Sequence, residues 1–243
     1  MIHDTRHALV VDPGDAGPVL TACKAQGLAI AGILVTHHHA DHTGGIHDLL
    51  RHAQVPVWGP ATEDIPGMSQ PLRDGDHVAP RGIDLGFDVI HVPGHTLGHI
   101  AFYADGGFGN RFVFCGDTLF SAGCGRLFEG TPEQMLHSLD RLAALPRDTR
   151  VFCTHEYTLS NLQFAQFVEP GNQAIQTYRQ WCEGKRAEGL PTLPSTLEQE
   201  LRVNPFLRVD EIDVLVRLTE HTGREPTSRA DAFALLRQWK DDF

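Results

Sequence analysis

The stretch Thr36-His37-His38-His39-Ala40-Asp41-His42 sets the tightest limit on what this chain can become. It puts five metal-capable side chains in six positions, directly after the apolar run Gly32-Ile33-Leu34-Val35. Imidazoles and a carboxylate crowded at the end of a buried strand repel one another or lack partners, and a cation removes both problems. On an extended segment, side chains two apart share a face, so His37 and His39 can grip one ion while His38 points away. Asp41 and His42 fall past the strand end, where a turn can aim them at a second point. A terminal affinity tag would carry neither the Asp nor the preceding strand.

With 243 residues, 41% of them hydrophobic, the chain can bury a full core as one large domain or two modest ones. A formal net charge of -11 argues against nucleic acid or an anionic membrane as the main partner. An anionic substrate would need a local basic patch. Cys23, Cys115, Cys124, Cys153 and Cys182 are odd in number and hold no Cys-x-x-Cys pair, which speaks against a disulfide framework and for the reducing cytoplasm. No run approaches the ~18 apolar residues of a membrane span, and Met1 to Arg6 lack a signal-like core.

Along the chain, residues 8–11 read as a strand closed by the turn cluster Asp12-Pro13-Gly14-Asp15, residues 16–26 as a helix, and residues 30–35 as the strand that delivers the histidines. Gly44-Gly45 suggests a tight turn before a helix at 46–53. Strands are expected at 55–58, 84–92, 99–103 and 111–115, with 59–71 a loop, and Thr131-Pro132-Glu133-Gln134 opens a helix running to about 144. His95 follows an apolar strand in a Gly-containing loop, Asp117 follows another, and His155 a third. Taken singly, His95 reads as a structural histidine, and Asp117 reads equally as a helix cap or a metal ligand. Three strand ends carrying the same ligand chemistry instead point to one site, because open sheets gather their sites at strand carboxyl ends. From about 158 the β-branched runs give way to helical periodicity at 159–168, 171–187, 195–202, 210–221 and 227–240. The expected organisation is a catalytic domain over 1–157 and an all-helical domain over 158–243.

His37-x-His39-x-Asp41-His42 followed by His95, Asp117 and His155 resembles the metallo-β-lactamase superfamily, which implies an α/β fold, an αββα sandwich. The stretches Gly123 to Gly130, Thr154 to Thr158, Asn204-Pro205-Phe206-Leu207-Arg208 and Arg237-x-x-Lys240 resemble glyoxalase II, the hydroxyacylglutathione hydrolases, over nearly the whole chain. The resemblance implies that His37, His39 and His95 hold one divalent metal, that Asp41, His42 and His155 hold a second, and that Asp117 bridges the two. Zn is the expected metal, with Fe or Mn also suited to such ligands. It further implies cleavage of S-(2-hydroxyacyl)glutathione thioesters such as S-D-lactoylglutathione by water ionised between the metals. Asp41 and Asp117 would serve the chemistry, and Arg126, Tyr157, Arg237 and Lys240 would line the glutathione groove of a monomer.

Set against the family, Phe128 stands where members often carry Tyr, and the strand that usually precedes the segment Ile2 to Val11 is expected to be missing, which would start the sequence mid-hairpin. Without the resemblance, Arg237 and Lys240 read as a solvated helix end, Tyr157 as a half-buried aromatic, Cys124 as structural, and His38, His91 and His99 as supporting or surface histidines. Rival expectations are an iron-dependent glutathione persulfide dioxygenase, a lactonase or β-lactamase, and a non-catalytic metal-stabilised binding protein.

Overall fold

The structure, a computed structural model, describes residues 1–106 and 109–243. It divides into two compact units, Met1–His91 with Gly98–Gly116, and Val92–Leu97 with Asp117–Phe243.

In the first unit the chain runs β1 (Ile2–His3), β2 (His7–Val11), α1 (Ala16–Gln26), β3 (Ala29–Leu34), α2 (Ala40–Thr43), α3 (Ile46–His52), β4 (Val57–Pro60) and β5 (Gln70–Leu72). These strands form one sheet in the order β1-β2-β3-β4-β5, parallel except for β1 against β2. Ala8, Leu9 and Val10 are all buried, as expected of a parallel strand covered on both faces, which is why β2 reads as an unbroken apolar run. α1 is capped by the Asp15 carboxylate and closed by Gly27 in the left-handed region. Ala16, Ile46 and Leu49 from the helices pack with Val10, Ile33, Val35 and Val57 from the sheet. Burying one such aliphatic side chain stabilises the fold by about 1.5–3 kcal/mol.

Two expectations shift here. The strand expected at 55–58 lies at Val57–Pro60, and the loop expected over 59–71 runs at its end into β5, whose Pro71 is tolerated because β5 is the outer strand. Gly44 and Gly45 both have negative φ, so conformational freedom is not what they provide. A Cβ on Gly45 would lie 2.7 Å from Ala16 N and 2.8 Å from Pro13 O, so the requirement is close backbone approach.

The same unit continues as β6 (His77–Val78), β7 (Phe87–His91), β8 (Ile100–Asp105) and β9 (Arg111–Gly116), where β6–β7, β7–β8 and β8–β9 pair antiparallel. Phe87 meets the edges of Phe102 and Phe112 at 6.2 and 6.1 Å, a T-shaped arrangement favoured by the ring quadrupoles.

The second unit holds the hairpin β10 (Leu119–Phe120) and β11 (Gly123–Cys124), α4 (Pro132–Ala143), β12 (Arg150–Cys153), α5 (Thr158–Val168), α6 (Gln173–Ala187), β13 (Ser195–Thr196), α7 (Leu197–Val203), α8 (Ile212–Thr222) and α9 (Arg229–Asp242). α4 opens as its sequence suggests, with Thr131 and Gln134 forming a capping box and Pro132 at the first turn. α7 begins two residues later than expected because Ser195 and Thr196 pair with Val151 and Arg150 as β13. Leu162, Ala165, Ile175, Cys182 and Val203 make one apolar cluster, and the fully buried Glu169 takes a bidentate bond from Arg208 Nε and Nη2 at 3.0 and 2.9 Å. All five cysteines are free, and no helix among the described residues is long and apolar enough to cross a membrane.

Candidate metal centre

The donors of the first unit sit where β3 ends and α2 begins. Thr36 Oγ1 donates to Asp12 Oδ2 at 2.8 Å, so its lone pair accepts from His37 Nδ1–H at 3.1 Å. That fixes the tautomer of the buried His37 and turns Nε2 toward His39 Nδ1, 3.1 Å away. Two ring nitrogens at this distance need something between their lone pairs, either an N–H proton on one of them or a metal ion. The helical turn of α2 carries Asp41 and His42 out of the extended path. His42 Nδ1 faces Asp12 Oδ2 at 3.2 Å, and its Nε2 lies 3.8 Å from Asp41 Oδ2. The four donors therefore form two pairs, His37 with His39 and Asp41 with His42.

His38 turns away as the alternation requires, with Nδ1 2.9 Å from Glu63 Oε2. His99 is buried and stacks on the His37 ring at 4.6 Å, and His91 lies at the end of β7 with its N–H on Asp74. Asp12 is the residue that sequence reasoning missed. It was read as part of a turn, yet it accepts from Thr36 N and Thr36 Oγ1 and faces His42. Its position one residue past a buried strand is the signal that singled out Asp117, and that signal was available.

In the second unit His95 Nδ1–H donates to the Arg126 carbonyl at 2.9 Å, which leaves Nε2 facing Asp117 Oδ2 at 3.4 Å. The other Asp117 oxygen, Oδ1, lies 3.7 Å from His155 Nε2. One nearly buried carboxylate thus addresses two histidines with its two oxygens, the arrangement a bridging ligand adopts. β10, not a helix, follows Asp117, so the helix-cap reading fails. The His155 ring stacks on the half-exposed Tyr157 at 5.2 Å.

The cations of this unit gather at the end of α9. Arg126 is exposed, with Nε 3.6 Å from Asp241 Oδ1. Lys240 Nζ lies over the rings of Phe164 and Phe243 at 5.4 and 5.6 Å, and its ammonium pKa falls below the ordinary value through burial and then the nearby Arg237 charge. Arg237 is not a solvated helix end. It is buried, donating to Cys124 O at 3.0 Å and Asp241 Oδ1 at 2.9 Å. Three cations against Asp241 make a local basic patch in an acidic chain. Burial pushes the Cys124 thiol up to about 11, so it is no thiolate nucleophile at neutral pH. Phe128 is 64% exposed, with its ring 5.2 Å from that of His95.

Residues 1–155 match the metallo-beta-lactamase superfamily, and residues 156–243 match the hydroxyacylglutathione hydrolase C-terminus. A hydroxyacylglutathione hydrolase of Pseudomonas fluorescens is 54% identical over 240 residues, spanning 98% of this chain and 91% of its own length. One from Nitrosomonas eutropha is 46% identical over 243 residues, spanning 100% and 93%. The chain belongs to the hydroxyacylglutathione hydrolases. A solved structure described as TTHA1623 in a di-iron-bound form is 30% identical, covering 81% of this chain and 87% of its own at a TM-score of 0.56.

A metallo-β-lactamase-type α/β region is followed by a helical C-terminal region, the fold class expected from the sequence. The His and Asp donors of this family member fit metal ions on their own geometry: paired nitrogens in one unit and a two-sided carboxylate in the other. They support two divalent ions.

Proposed function

We propose that this chain hydrolyses S-(2-hydroxyacyl)glutathione thioesters, such as S-D-lactoylglutathione, to glutathione and a 2-hydroxy acid. The observation that carries the reading is Asp117, whose two oxygens face His95 and His155 separately. On this reading His37, His39 and His95 hold one ion, Asp41, His42 and His155 hold the other, and Asp117 belongs to both. Zinc is the proposed metal, although imidazole and carboxylate donors suit iron and manganese as well. When bound, such ions lower the pKa of water from 15.7 to about 7, which supplies a nucleophile without a serine or cysteine.

The protein's own residues do the rest. Asp12 and Thr36 fix the tautomers of His42 and His37, and the Arg126 carbonyl fixes that of His95. Asp41, an exposed carboxylate 3.8 Å from His42 Nε2, would on this reading also steer the last proton. The leaving thiol has a pKa near ~8.5, so it departs as a thiolate with little acid assistance. Arg126 and Lys240 receive the carboxylates of the tripeptide, Tyr157 lies along it, and Arg237 adds charge while holding Asp241 in place. Residues 158–243 form the substrate-binding domain. A single chain supplies all seven donors, so the working unit is a monomer, and five reduced cysteines suit the cytoplasm.

Elemental analysis and lactoylglutathione turnover on one sample test this reading. About two metals per chain and chelator-sensitive cleavage are expected. Cleavage that survives complete metal removal would exclude it. Full turnover with both metals retained in Asp41→Ala would remove Asp41 from the ligand and proton-carrying roles.

A further inference from the structure

The hairpin between β10 and β11 turns on two residues, Ser121 and Ala122, with Phe120 opposite Gly123. Ala122 has φ 56, the left-handed region that a residue with a Cβ avoids. Such a turn persists only where its surroundings over-determine it. Here the backbone polar groups are taken by side chains from distant helical segments. Ala122 N–H donates to Glu200 Oε2 at 2.7 Å, and Asn161 Nδ2 donates to Ser121 O at 3.0 Å. Asn204 Nδ2 reaches Phe120 O at 3.1 Å and Gly123 O at 2.9 Å, and Arg237 takes Cys124 O.

Past the hairpin the chain is locked against the metal-facing groups. Gly125 N–H donates to Thr118 O at 3.2 Å, and a Cβ on Gly125 would collide with Asp117 O and stand 3.3 Å from His95 Nδ1. Next comes Arg126, whose carbonyl accepts from His95 Nδ1. Moving the hairpin moves that carbonyl. Glu200 is fully buried, and desolvation raises its carboxyl pKa, a cost that an ordinary α7 core position would avoid with a Leu.

We propose that Glu200, together with Asn161 and Asn204, is a positioning residue for His95: by clamping the Ser121-Ala122 turn it sets the Arg126 carbonyl that selects the His95 tautomer and aims Nε2. The inference rests on the reading that His95 holds a metal, and it adds that the helical region completes the ligand by holding this turn.

The test compares Glu200→Ala, Glu200→Gln and His95→Ala. The readouts are zinc affinity by chelator competition, and the His95 tautomer by nitrogen NMR on the metal-free protein at alkaline pH. Glu200→Ala is expected to weaken zinc binding by about tenfold or more and to mix the tautomers. Glu200→Gln keeps an acceptor for Ala122 N–H and restores both. A merely structural role would lower the melting temperature and leave tautomer and affinity alone, and that result overturns the proposal. Should Glu200→Ala fail to fold, Asn161→Ala removes one clamp and is read the same way. If His95→Ala keeps wild-type zinc affinity, the ligand reading itself fails. If His95→Ala loses zinc while the Glu200 and Asn161 variants do not, only the positioning role fails.

Discussion

The donors from His37 to His42 and the donors His95, Asp117 and His155 offer the same chemistry but are held by different means. The first set lies within six consecutive positions and is oriented by side chains at neighbouring strand ends, Asp12 and Thr36, with Glu63 drawing His38 aside. The second set is scattered along the chain. Within it, His95 is oriented by the Arg126 carbonyl, which follows a hairpin that helical residues brace from α5, from α7 with its C-terminal Asn204, and from α9. A contiguous ligand run can carry its own scaffold in its neighbours, whereas a dispersed one needs the rest of the fold to supply it. Damage to the helical region should therefore be felt by the second set first.

The largest effect expected from breaking this contrast is at Asp117, which serves both histidines of its set. Asp117→Ala should reduce thioester turnover well beyond the ~10–100-fold that loss of an outer partner costs. Elemental analysis should show fewer than two metals. Wild-type turnover with full metal content would mean that the two-sided carboxylate is incidental.

Next in size is a change remote from every donor. Glu169 is buried and bidentate to Arg208, the last residue of the Asn204 to Arg208 stretch. Glu169→Ala leaves the partly buried Arg208 guanidinium with only the Leu201 carbonyl and Glu211 on its Nη1, at a cost of about 1–3 kcal/mol, measurable by urea unfolding. A loss below about 1 kcal/mol, as for an exposed pair, would mean that Arg208 finds water and that the helical scaffold is softer than the bonding implies.

Much of this was legible in the chain, and the reasons are physical. The alternation of His37 and His39 about His38 follows from strand geometry, and the α4 cap was written in Thr131, Pro132 and Gln134. Periodicity gave the helices from α5 to α9 within two residues or so. What failed was anything set by partners far along the chain. β13 exists only because β12 pairs with it, β5 tolerates Pro71 only because it is outermost, and Arg237 is buried because Cys124 O and Asp241 surround its guanidinium. Asp12 is an intermediate case, since its strand-end position was visible while its bonds to Thr36 and His42 were not. Asp12→Ala sharpens the contrast from the other side. It should lower zinc affinity by about 10–100-fold through His42 and Thr36, with the His95 tautomer unmoved in nitrogen NMR. A tautomer change at His95 as well would show that the two sets share one scaffold after all.

The smallest effect expected is a gain. Phe128 presents an exposed ring, packs its edge on His95, and donates its own N–H to the His95 carbonyl at 3.3 Å. Phe128→Tyr adds a hydroxyl on the solvent side, so it incurs no burial penalty and need not disturb the ring contact. If the tripeptide lies along Arg126 and Lys240, the new O–H has a carboxylate or amide within reach. One net hydrogen bond is worth about 0.5–1.5 kcal/mol, so KM should fall by roughly two- to tenfold with kcat unchanged. Steady-state kinetics on lactoylglutathione separate the outcomes. An unchanged KM would place the tripeptide away from Phe128. A fall in kcat would instead assign Phe128 to the setting of His95, and the second donor set would then depend on its aromatic neighbour as well as on the braced turn.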